Sequence, residues 1–327
     1  MKTTNLTPFP EFVFEWINKE KSRYCTCVVR GEYTITNDNG VVPHYQQPGP
    51  VLIDEWYGAP QTSSLRMEHD RIPFKVRGEA YFVDPIARPP GNRAMKKWPV
   101  KIRLGQIELE FVATGPRKCK PGLFGINPSE PNPTQHVSIL YENMYGGRSE
   151  TDPQVEFPEN PVGRGFLSKS EKVFGEQIGP QFEDIRGRIP TTPLAITPVH
   201  RAWTPRRELA GTLDEDWFRN RWPLFPDDFS AEFYQQAPNH LQLKSGFFSG
   251  DEKVTVISIG PREQFSFSLP DPRFLCMAII DSEETRFQRF NLDTIVFQLE
   301  KMQLSLVWRT SFAPASNSAQ CVIDFEE

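Results

Sequence analysis

Proline is the residue that most limits how this chain can fold. The sequence contains 31 prolines in 327 residues, close to twice the share of about 5% that is usual in soluble proteins. Because proline fixes φ and has no amide proton to donate, long helices and central strands are difficult to build from such a sequence. The chain also has 25 Phe, 7 Trp and 8 Tyr with which to fill a core. Together these features predict short β-strands joined by proline-rich loops.

Alternating apolar and polar residues mark strands near both ends of the chain. In the N-terminal part, strands are predicted over residues 12–18, 24–35, 73–83, 100–104 and 107–111, with a hairpin turn at Asn39-Gly40. In the C-terminal part, strands are predicted over residues 254–259, 265–269, 274–280, 294–299 and 303–308. The fold class is therefore predicted to be mainly β, with two antiparallel, sandwich-like β-rich lobes, and a helical bundle is excluded.

The stretch between the two lobes, residues 121–226, is interrupted by Gly or Pro every few positions. A loop of this length is uncommon inside a compact domain unless it has a function, and recurring aromatic residues indicate that it packs against a surface. We therefore predict an ordered loop belt (residues 121–226) with one or two short helices. Thr212 and Glu215 fit a capping box at one helix start, and Asp227 or Asp228 fits the start of a second helix. The predicted divisions are residues 1–120, 121–226 and 227–327, with one continuous domain as the alternative.

Charge and cysteine content restrict the class of protein. Lys and Arg number 37 and Asp and Glu number 42, so the net charge is 37 − 42 = −5, which disfavours a strongly basic nucleic-acid binder. The first twenty residues contain no apolar stretch of signal-peptide length, and the apolar run 275–280 is far shorter than the ~20 residues that cross a bilayer. Five cysteines form no C-x-x-C pair. Cys25 and Cys27 fit small buried hydrophobes or, alternatively, metal ligands on one strand face. We expect a reduced cytoplasmic protein without nucleic-acid or membrane partners.

Motifs for catalysis are largely missing from the sequence. No two of the five histidines stand at i, i+4, and H-E-x-x-H, G-x-S-x-G and P-loop motifs are absent. Carboxylates cluster at residues 214–216, 227–228, 251–252 and 281–284. Such pairs suit a glycosidase, but the first two clusters also fit helix starts, and the others fit a turn and a solvated face. Glycine turns at 146–147 and 163–165 lack the strand-then-helix context of phosphate sites. A carbohydrate-active or carbohydrate-binding β protein therefore stays open as an alternative.

Arginine and tryptophan recur through the loop belt. Both residue types dominate protein–protein hot spots, because they bury a large area and keep a polar group, and both also anchor loops on a sheet. The candidate partner-binding residues are Arg164, Trp203, Arg206, Trp217 and Trp222. Residues 66–120 carry thirteen Lys or Arg and six Asp or Glu, a local charge of 13 − 6 = +7. This charge suits an acidic partner or, equally, solvated strand faces.

Several short sequence blocks, taken in their order along the chain, carry a resemblance to a known family. Residues 160–166 read N-P-V-G-R-G-F and residues 141–147 read Y-E-N-M-Y-G-G. They are followed by W-T-P-R and A-G-T between residues 203 and 212, Asp214 with Trp217, L-F-P-D-D-F at 224–229, G-D-E at 250–252, L-D-T at 292–294 and L-V-W-R at 306–309. In these blocks the sequence resembles the type VI secretion adaptor family long catalogued only as a domain of unknown function. It departs from the family pattern at Asn143, Met144 and Asn239-His240.

The resemblance implies a binding protein rather than an enzyme. Members of that family look like cytoplasmic chaperones that hold a toxic effector, often through its PAAR-type spike tip or a neighbouring region, and help to load it onto the trimeric spike. The implied partners are a type VI effector, a PAAR-type spike tip and the trimeric spike protein, and the role needs no cofactor, nucleophile or metal. A structural part of a phage-like machine is a third hypothesis. As the alternative to partner binding, Arg164 and Arg206 are expected to be buried and to pair with Asp214 or Asp227.

Overall fold

β-strands make up most of the regular structure, as predicted. The computed structural model of the chain describes residues 2–56, 66–122, 125–152, 154–168, 176–270, 275–280, 285–314 and 320–325. The first strands are β1 (Lys2–Asn5), β2 (Glu11–Ile17), β3 (Arg23–Ile35), β4 (Val41–Pro43), β5 (Glu55–Trp56), β6 (Arg66–Met67), β7 (Glu79–Phe82), β8 (Ile86–Ala87), β9 (Lys97–Leu104), β10 (Ile107–Thr114), β11 (Lys118–Gly122) and β12 (Gly125–Pro128).

The remaining elements include short helices among further strands. The strands are β13 (Val137–Ser138), β14 (Tyr145–Gly146), β15 (Arg164–Gly165), β16 (Gln177–Ile178), β17 (Phe182–Glu183), β18 (Lys253–Ile257), β19 (Gln264–Ser268), β20 (Leu275–Ile280), β21 (Thr285–Arg289), β22 (Asn291–Gln298), β23 (Gln303–Phe312) and β24 (Gln320–Phe325). The α-helices are α1 (Arg206–Leu209) and α2 (Glu215–Asn220), and 3-10 helices span Pro90–Asn92, Tyr141–Asn143, Ala231–Tyr234, Asn239–Leu241 and Leu299–Lys301. Within the described residues, no helix has the length and apolar character needed to cross a membrane.

The largest sheet joins strands from the two ends of the chain. Its order is β2-β3-β23-β22-β7, with β4 added to β3. β3 and β23 pair antiparallel from Cys25 opposite Phe312 to Thr34 opposite Gln303, and β22 pairs with β7 in parallel. Cys27 and Val29 of β3 are fully buried in the core. The strands predicted over residues 12–18, 24–35, 294–299 and 303–308 are confirmed as parts of this sheet.

A second sheet has the order β17-β10-β9-β18-β19. Its centre is the predicted hairpin of β9 and β10, in which Leu104 lies opposite Ile107. Gly105 at the turn has a φ of +52°, a conformation that glycine adopts easily. Side chains of β9 alternate between buried and more exposed, as the sequence pattern predicts.

Side chains from the two sheets meet in one hydrophobic core. Phe111 and Val256 of the second sheet belong to the same buried cluster as Leu306 and Phe297 of the largest sheet. Phe297 stacks on Phe82 with ring centroids 4.7 Å apart. This arrangement is the predicted sandwich-like packing. Hydrogen-bonded strands of both sheets come from either side of residues 121–226, and the three predicted divisions of the chain stay a prediction.

The start of α2 differs from the predicted capping box. Asp214, not Thr212, is the N-cap, and its carboxylate accepts a hydrogen bond from the Trp217 amide at 2.9 Å. The Thr212 hydroxyl instead donates to Asp228 at 2.7 Å. The predicted second helix is the 3-10 helix at Ala231–Tyr234, capped by Ser230. The capping prediction was wrong because it used local spacing, whereas the Thr212–Asp228 contact spans sixteen positions.

Candidate partner-binding site

The blocks at residues 141–147 and 160–166 interlock to form one joint in the loop belt. Asn160 is fully buried, and its side-chain amide donates to the carbonyl oxygens of Tyr141 and Tyr145 at 2.8 and 2.9 Å. The Gly147 amide donates to the Asn160 carbonyl at 2.8 Å, and β14 pairs in parallel with β15. Gly146 has a φ of +147°, and a Cβ there would lie 2.2 Å from the Asn160 carbonyl oxygen. These residues therefore hold the shape of the belt.

Two of the five candidate residues, Arg206 and Trp203, lie inside the protein. Arg206 is 3% exposed and donates to both carboxylate oxygens of Glu68 at 2.8 and 3.0 Å. Its guanidinium also donates to the Val199 carbonyl at 2.7 Å. The expected partners Asp214 and Asp227 are therefore wrong for this residue, which pairs with Glu68 instead. Trp203 is 8% exposed and packs edge-on against Tyr141, with ring centroids 5.0 Å apart.

Arg164 is partly buried at the joint between the two blocks. Its guanidinium donates to the side-chain oxygen of Gln181 at 3.3 Å, and burial lowers the pKa of this group. The Arg164 amide donates to the Met144 carbonyl at 2.8 Å. Neither of the expected carboxylates, Asp214 or Asp227, is its hydrogen-bond partner in the structure.

The other two candidates, Trp217 and Trp222, lie at helix α2 with different environments. Trp217 is half-buried, and its indole N–H donates to the Leu224 carbonyl at 2.8 Å. Trp222 is 62% exposed and lies beside Phe218, which is 65% exposed, with ring centroids 6.3 Å apart. Leu213 and Phe225 add to this exposed apolar surface. We call Leu213, Phe218, Trp222 and Phe225 the α2 face.

Phe225 of the α2 face also lines an aromatic groove. The groove has a volume of about 490 Å³ and is lined by the aromatic rings of Trp16, Tyr24, Phe74, Phe225, Phe229 and Tyr234. Trp16 stacks on Tyr24 with centroids 5.0 Å apart, and Phe225 stacks on Phe229 at 4.2 Å. One wall is formed by β2, the terminal strand of the largest sheet. Five of the six aromatic residues are half-buried and Phe225 is 40% exposed, and apolar grooves of this kind mark interaction sites in soluble proteins.

Carboxylates are frequent in the segment that contains α2. Residues 212–228 carry five of them, Asp214, Glu215, Asp216, Asp227 and Asp228, against Arg219 and Arg221, for a charge of 2 − 5 = −3. Both arginines are already engaged, because Arg219 pairs with Glu215 at 2.9 Å and Arg221 pairs with Asp227 at 2.7 Å. Hydrogen bonds from the backbone amide and hydroxyl of Thr212 lower the pKa of Asp228. A cleft of about 300 Å³ lies between the start of α2 and residues 226–228.

Two further buried ion pairs involve strands β7, β22 and β23 of the largest sheet. Lys75 pairs with Glu79 at 2.6 Å and Arg309 pairs with Asp293, all with side chains no more than 2% exposed. Burial lowers the pKa of Lys75 and raises that of Asp293, in each case opposed by the partner of opposite charge. Enclosed pairs of this kind have no access to a substrate. Among the described residues, no three His, Cys, Asp or Glu side chains are grouped as a metal site would require.

Sequence reasoning missed most of the groove and the exposure of Phe218. It identified Trp217 and Trp222 as candidates but not Phe218, whereas the structure half-buries Trp217 and exposes Phe218 and Trp222. The four-residue spacing of Phe218 and Trp222 is the signal that groups them. Nothing local in the sequence places Trp16 and Phe225 around one groove, because their positions depend on the path of the whole belt. The carboxylate cluster at 281–284 lies outside the described residues, as does Phe274 at the start of the predicted strand 274–280.

Comparison with known proteins gives one match. Residues 20–309 match the sequence model of a family described as an uncharacterized protein conserved in bacteria (DUF2169). No curated protein and no solved structure matches the chain. The match spans the loop belt, the α2 face and most of both sheets.

Proposed function

This chain belongs to the bacterial DUF2169 family, and from that premise we propose that it is a non-enzymatic adaptor that binds a type VI secretion effector. In this proposal it works in the cytoplasm and helps to load the effector onto the secretion spike. The partner is the effector itself or its PAAR-type spike tip, and the trimeric spike protein is a further partner. The ordered blocks between Tyr141 and Arg309 support the link to type VI secretion, since they resemble the adaptor family.

The observation that carries the binding role is the exposure of large apolar side chains near helix α2, together with the aromatic groove that includes Phe225. Phe218 and Trp222 are each more than 60% exposed, although both are residues that proteins normally bury. The indole N–H of Trp217 donates to the Leu224 carbonyl and so attaches α2 to the segment that follows it. A rigid surface with large aromatic anchors suits protein binding, since little ordering is needed when the partner docks.

Co-purification from the native bacterium tests this function. The tagged chain is expected to capture an effector or spike-tip protein encoded beside its own gene. The double variant Phe218→Ala/Trp222→Ala is expected to lose this client. Phe287→Ala is the matched control, because Phe287 is 75% exposed on β21, and it should retain the client. Failure of the wild-type chain to capture any neighbouring effector or spike protein contradicts the proposal.

A carbohydrate-binding role is the second candidate, favoured by one observation. Trp16, Tyr24 and Phe74 present a cluster of aromatic rings in the groove, and Tyr24 stacks on Trp16. Aromatic rings offer flat apolar surfaces against which a sugar ring can pack. Thermal stabilisation of the chain by members of a glycan panel, lost in Trp16→Ala, would support this role. No stabilisation by any glycan leaves the adaptor proposal as the better explanation of the groove.

A further inference from the structure

We infer that the aromatic groove binds an uncharged, proline-rich segment of the partner protein in the extended polyproline II conformation. The inference rests on the proposed function and adds the chemistry of the recognised segment. The groove has a volume of about 490 Å³, which is within the range of sites that enclose a ligand. It therefore has room for a short stretch of a partner chain.

The wall of the groove is a series of aromatic rings in contact with one another. The Trp16 ring lies 5.0 Å from Tyr24 and 5.9 Å from Phe74, measured between centroids. Phe74 meets Tyr234 edge-on at 5.8 Å, and Tyr234 meets Phe225 edge-on at 6.2 Å. Proline rings pack well on such a wall, and grooves lined by aromatic residues are a recurring way of recognising polyproline II segments.

Polar groups in the groove lining can donate hydrogen bonds to a docked segment. Among the described residues, the hydroxyl groups of Tyr24 and Tyr234 have no hydrogen-bond partner. Burial raises the pKa of Tyr234, so its hydroxyl keeps its proton. The side-chain oxygen of Asn18 accepts from the amides of Glu20 and Ser22 at 3.1 and 2.8 Å. The NH2 group of Asn18 is therefore a further donor for an incoming chain.

Backbone acceptors in the same lining are already occupied. The Phe225 carbonyl accepts from the Arg221 side chain at 2.5 Å, and the Tyr234 carbonyl accepts from the Lys75 ammonium group. A docked segment is therefore recognised mainly through its own acceptors. Proline has no N–H, and the carbonyl groups of a polyproline II segment make no internal hydrogen bonds. Such a segment brings free acceptors and few donors that would be left unpaired.

The charge of the groove also fits an uncharged occupant. Among the described residues that line it, Lys19 and Glu20 are the charged ones, and their opposite signs cancel. Other occupants match the free donors less well. An α-helix uses its carbonyl groups internally, and each sugar hydroxyl brings a donor together with its acceptors.

Fluorescence anisotropy with designed peptides tests the inference on the full chain. The probes are labelled, uncharged peptides of about ten residues with the pattern P-x-x-P, in which x is Ala, Leu or Gln. In the control peptides Ala replaces each proline, which removes the ring and restores an N–H. At least one probe is expected to bind at least about tenfold more tightly than its Ala control. Because the probes are uncharged, added salt should have little effect.

Variants locate the binding in the groove. The double variant Tyr24→Phe/Tyr234→Phe keeps both rings and removes only the hydroxyl groups, and it is expected to weaken the probe by about three- to tenfold. Tyr45→Phe is the matched control, because Tyr45 is 100% exposed and does not line the groove. Trp16→Ala removes part of the wall and is expected to weaken the probe by about tenfold. Phe287→Ala, its control, should bind as the wild-type chain does.

Two results would overturn the inference. One is that no P-x-x-P probe binds more tightly than its Ala control, and the other is unchanged probe affinity in Tyr24→Phe/Tyr234→Phe. The proposed function fails separately. If the chain captures a client that is retained in Trp16→Ala and in the double tyrosine variant, the adaptor role stands and the proline-rich segment is wrong. If the probes bind as expected but no client is captured, the chemistry of the groove stands and the adaptor role is wrong.

Discussion

Arg206 and Glu68 form a bidentate ion pair inside the protein, although they lie 138 positions apart in the chain. Arg206 belongs to helix α1 in the belt, and Glu68 directly follows β6 in the N-terminal part. The guanidinium also donates to the Phe233 carbonyl at 2.9 Å. One buried side chain thus joins three segments, among them the 3-10 helix whose Tyr234 lines the aromatic groove.

Removal of this arginine is expected to destabilise the fold strongly. Arg206→Ala leaves the buried Glu68 carboxylate with only the more distant Arg201 guanidinium, at 3.6 Å, as a charged partner, and we expect this to cost about 3–5 kcal/mol of unfolding free energy. Arg207→Ala is the matched control, because Arg207 is the exposed neighbour and its loss should change stability by about 0.5 kcal/mol or less. Urea denaturation measures both. Equal stabilities for the two variants would show that the ion pair does not anchor the belt.

The joint around Asn160 is expected to tolerate no side chain at Gly146. Gly146→Ala places a Cβ 2.2 Å from the Asn160 carbonyl oxygen, so backbone must move, and we expect a loss of about 3 kcal/mol or more. Gly246→Ala is the control, because Gly246 has a φ of +72° but open space around it. That variant meets only the backbone cost of about 1–2 kcal/mol. Thermal denaturation that ranks the two the other way round contradicts this assignment.

The two tryptophans at 203 and 222 are expected to separate folding from binding. Trp203 is 8% exposed, so Trp203→Ala leaves a cavity and costs about 3–5 kcal/mol. Trp222 is 62% exposed, so Trp222→Ala changes stability by about 0.5 kcal/mol or less while reducing client binding. Denaturation together with co-purification measures both properties. A large loss of stability in Trp222→Ala would mean that this side chain serves the fold.

His240 is expected to make stability depend on pH. Burial lowers its pKa below the usual 6.5, while its Nε2–H donates to the Ala195 carbonyl at 2.8 Å. The unfolded chain therefore takes up this proton at higher pH than the folded chain does. Unfolding free energy should rise as pH approaches about 6.5 from below, and the contribution is lost as pH falls below that value.

Substitution of His240 provides the measurement. His240→Gln keeps a donor for the Ala195 carbonyl but has no proton to gain, so its stability should vary less between pH 5 and 6.5. His136→Gln is the control, since His136 is exposed and its loss should leave the wild-type pH dependence in place. An unchanged profile in His240→Gln would assign the pH dependence to other groups.

The strands were predictable from sequence because their pattern is local. Val100, Ile102 and Leu104 alternate with charged residues, and the structure buries all three on one face of β9. Which strands pair with one another was harder to predict. β3 pairs with β23 across most of the chain length, and no short-range pattern specifies which strand completes a sheet.

The candidate site was predictable only in part. Trp222 was identified by residue type and is exposed, but the same reasoning selected Arg206 and Trp203, which the structure buries. Residue type alone does not distinguish an anchor that holds a loop from one that binds a partner. Exposure near α2 depends on the path of residues 224–229, and this path is fixed by distant contacts such as that of Thr212 with Asp228.

The most direct measurement of the central claim is photo-crosslinking in the native bacterium. A photo-reactive phenylalanine analogue is placed at position 218 on the α2 face or, as the control, at position 287 on β21. The account predicts a covalent adduct between position 218 and a type VI effector or spike-tip protein, identified by mass spectrometry, with little or none from position 287. No adduct at position 218, or the same adducts from both positions, would contradict the account.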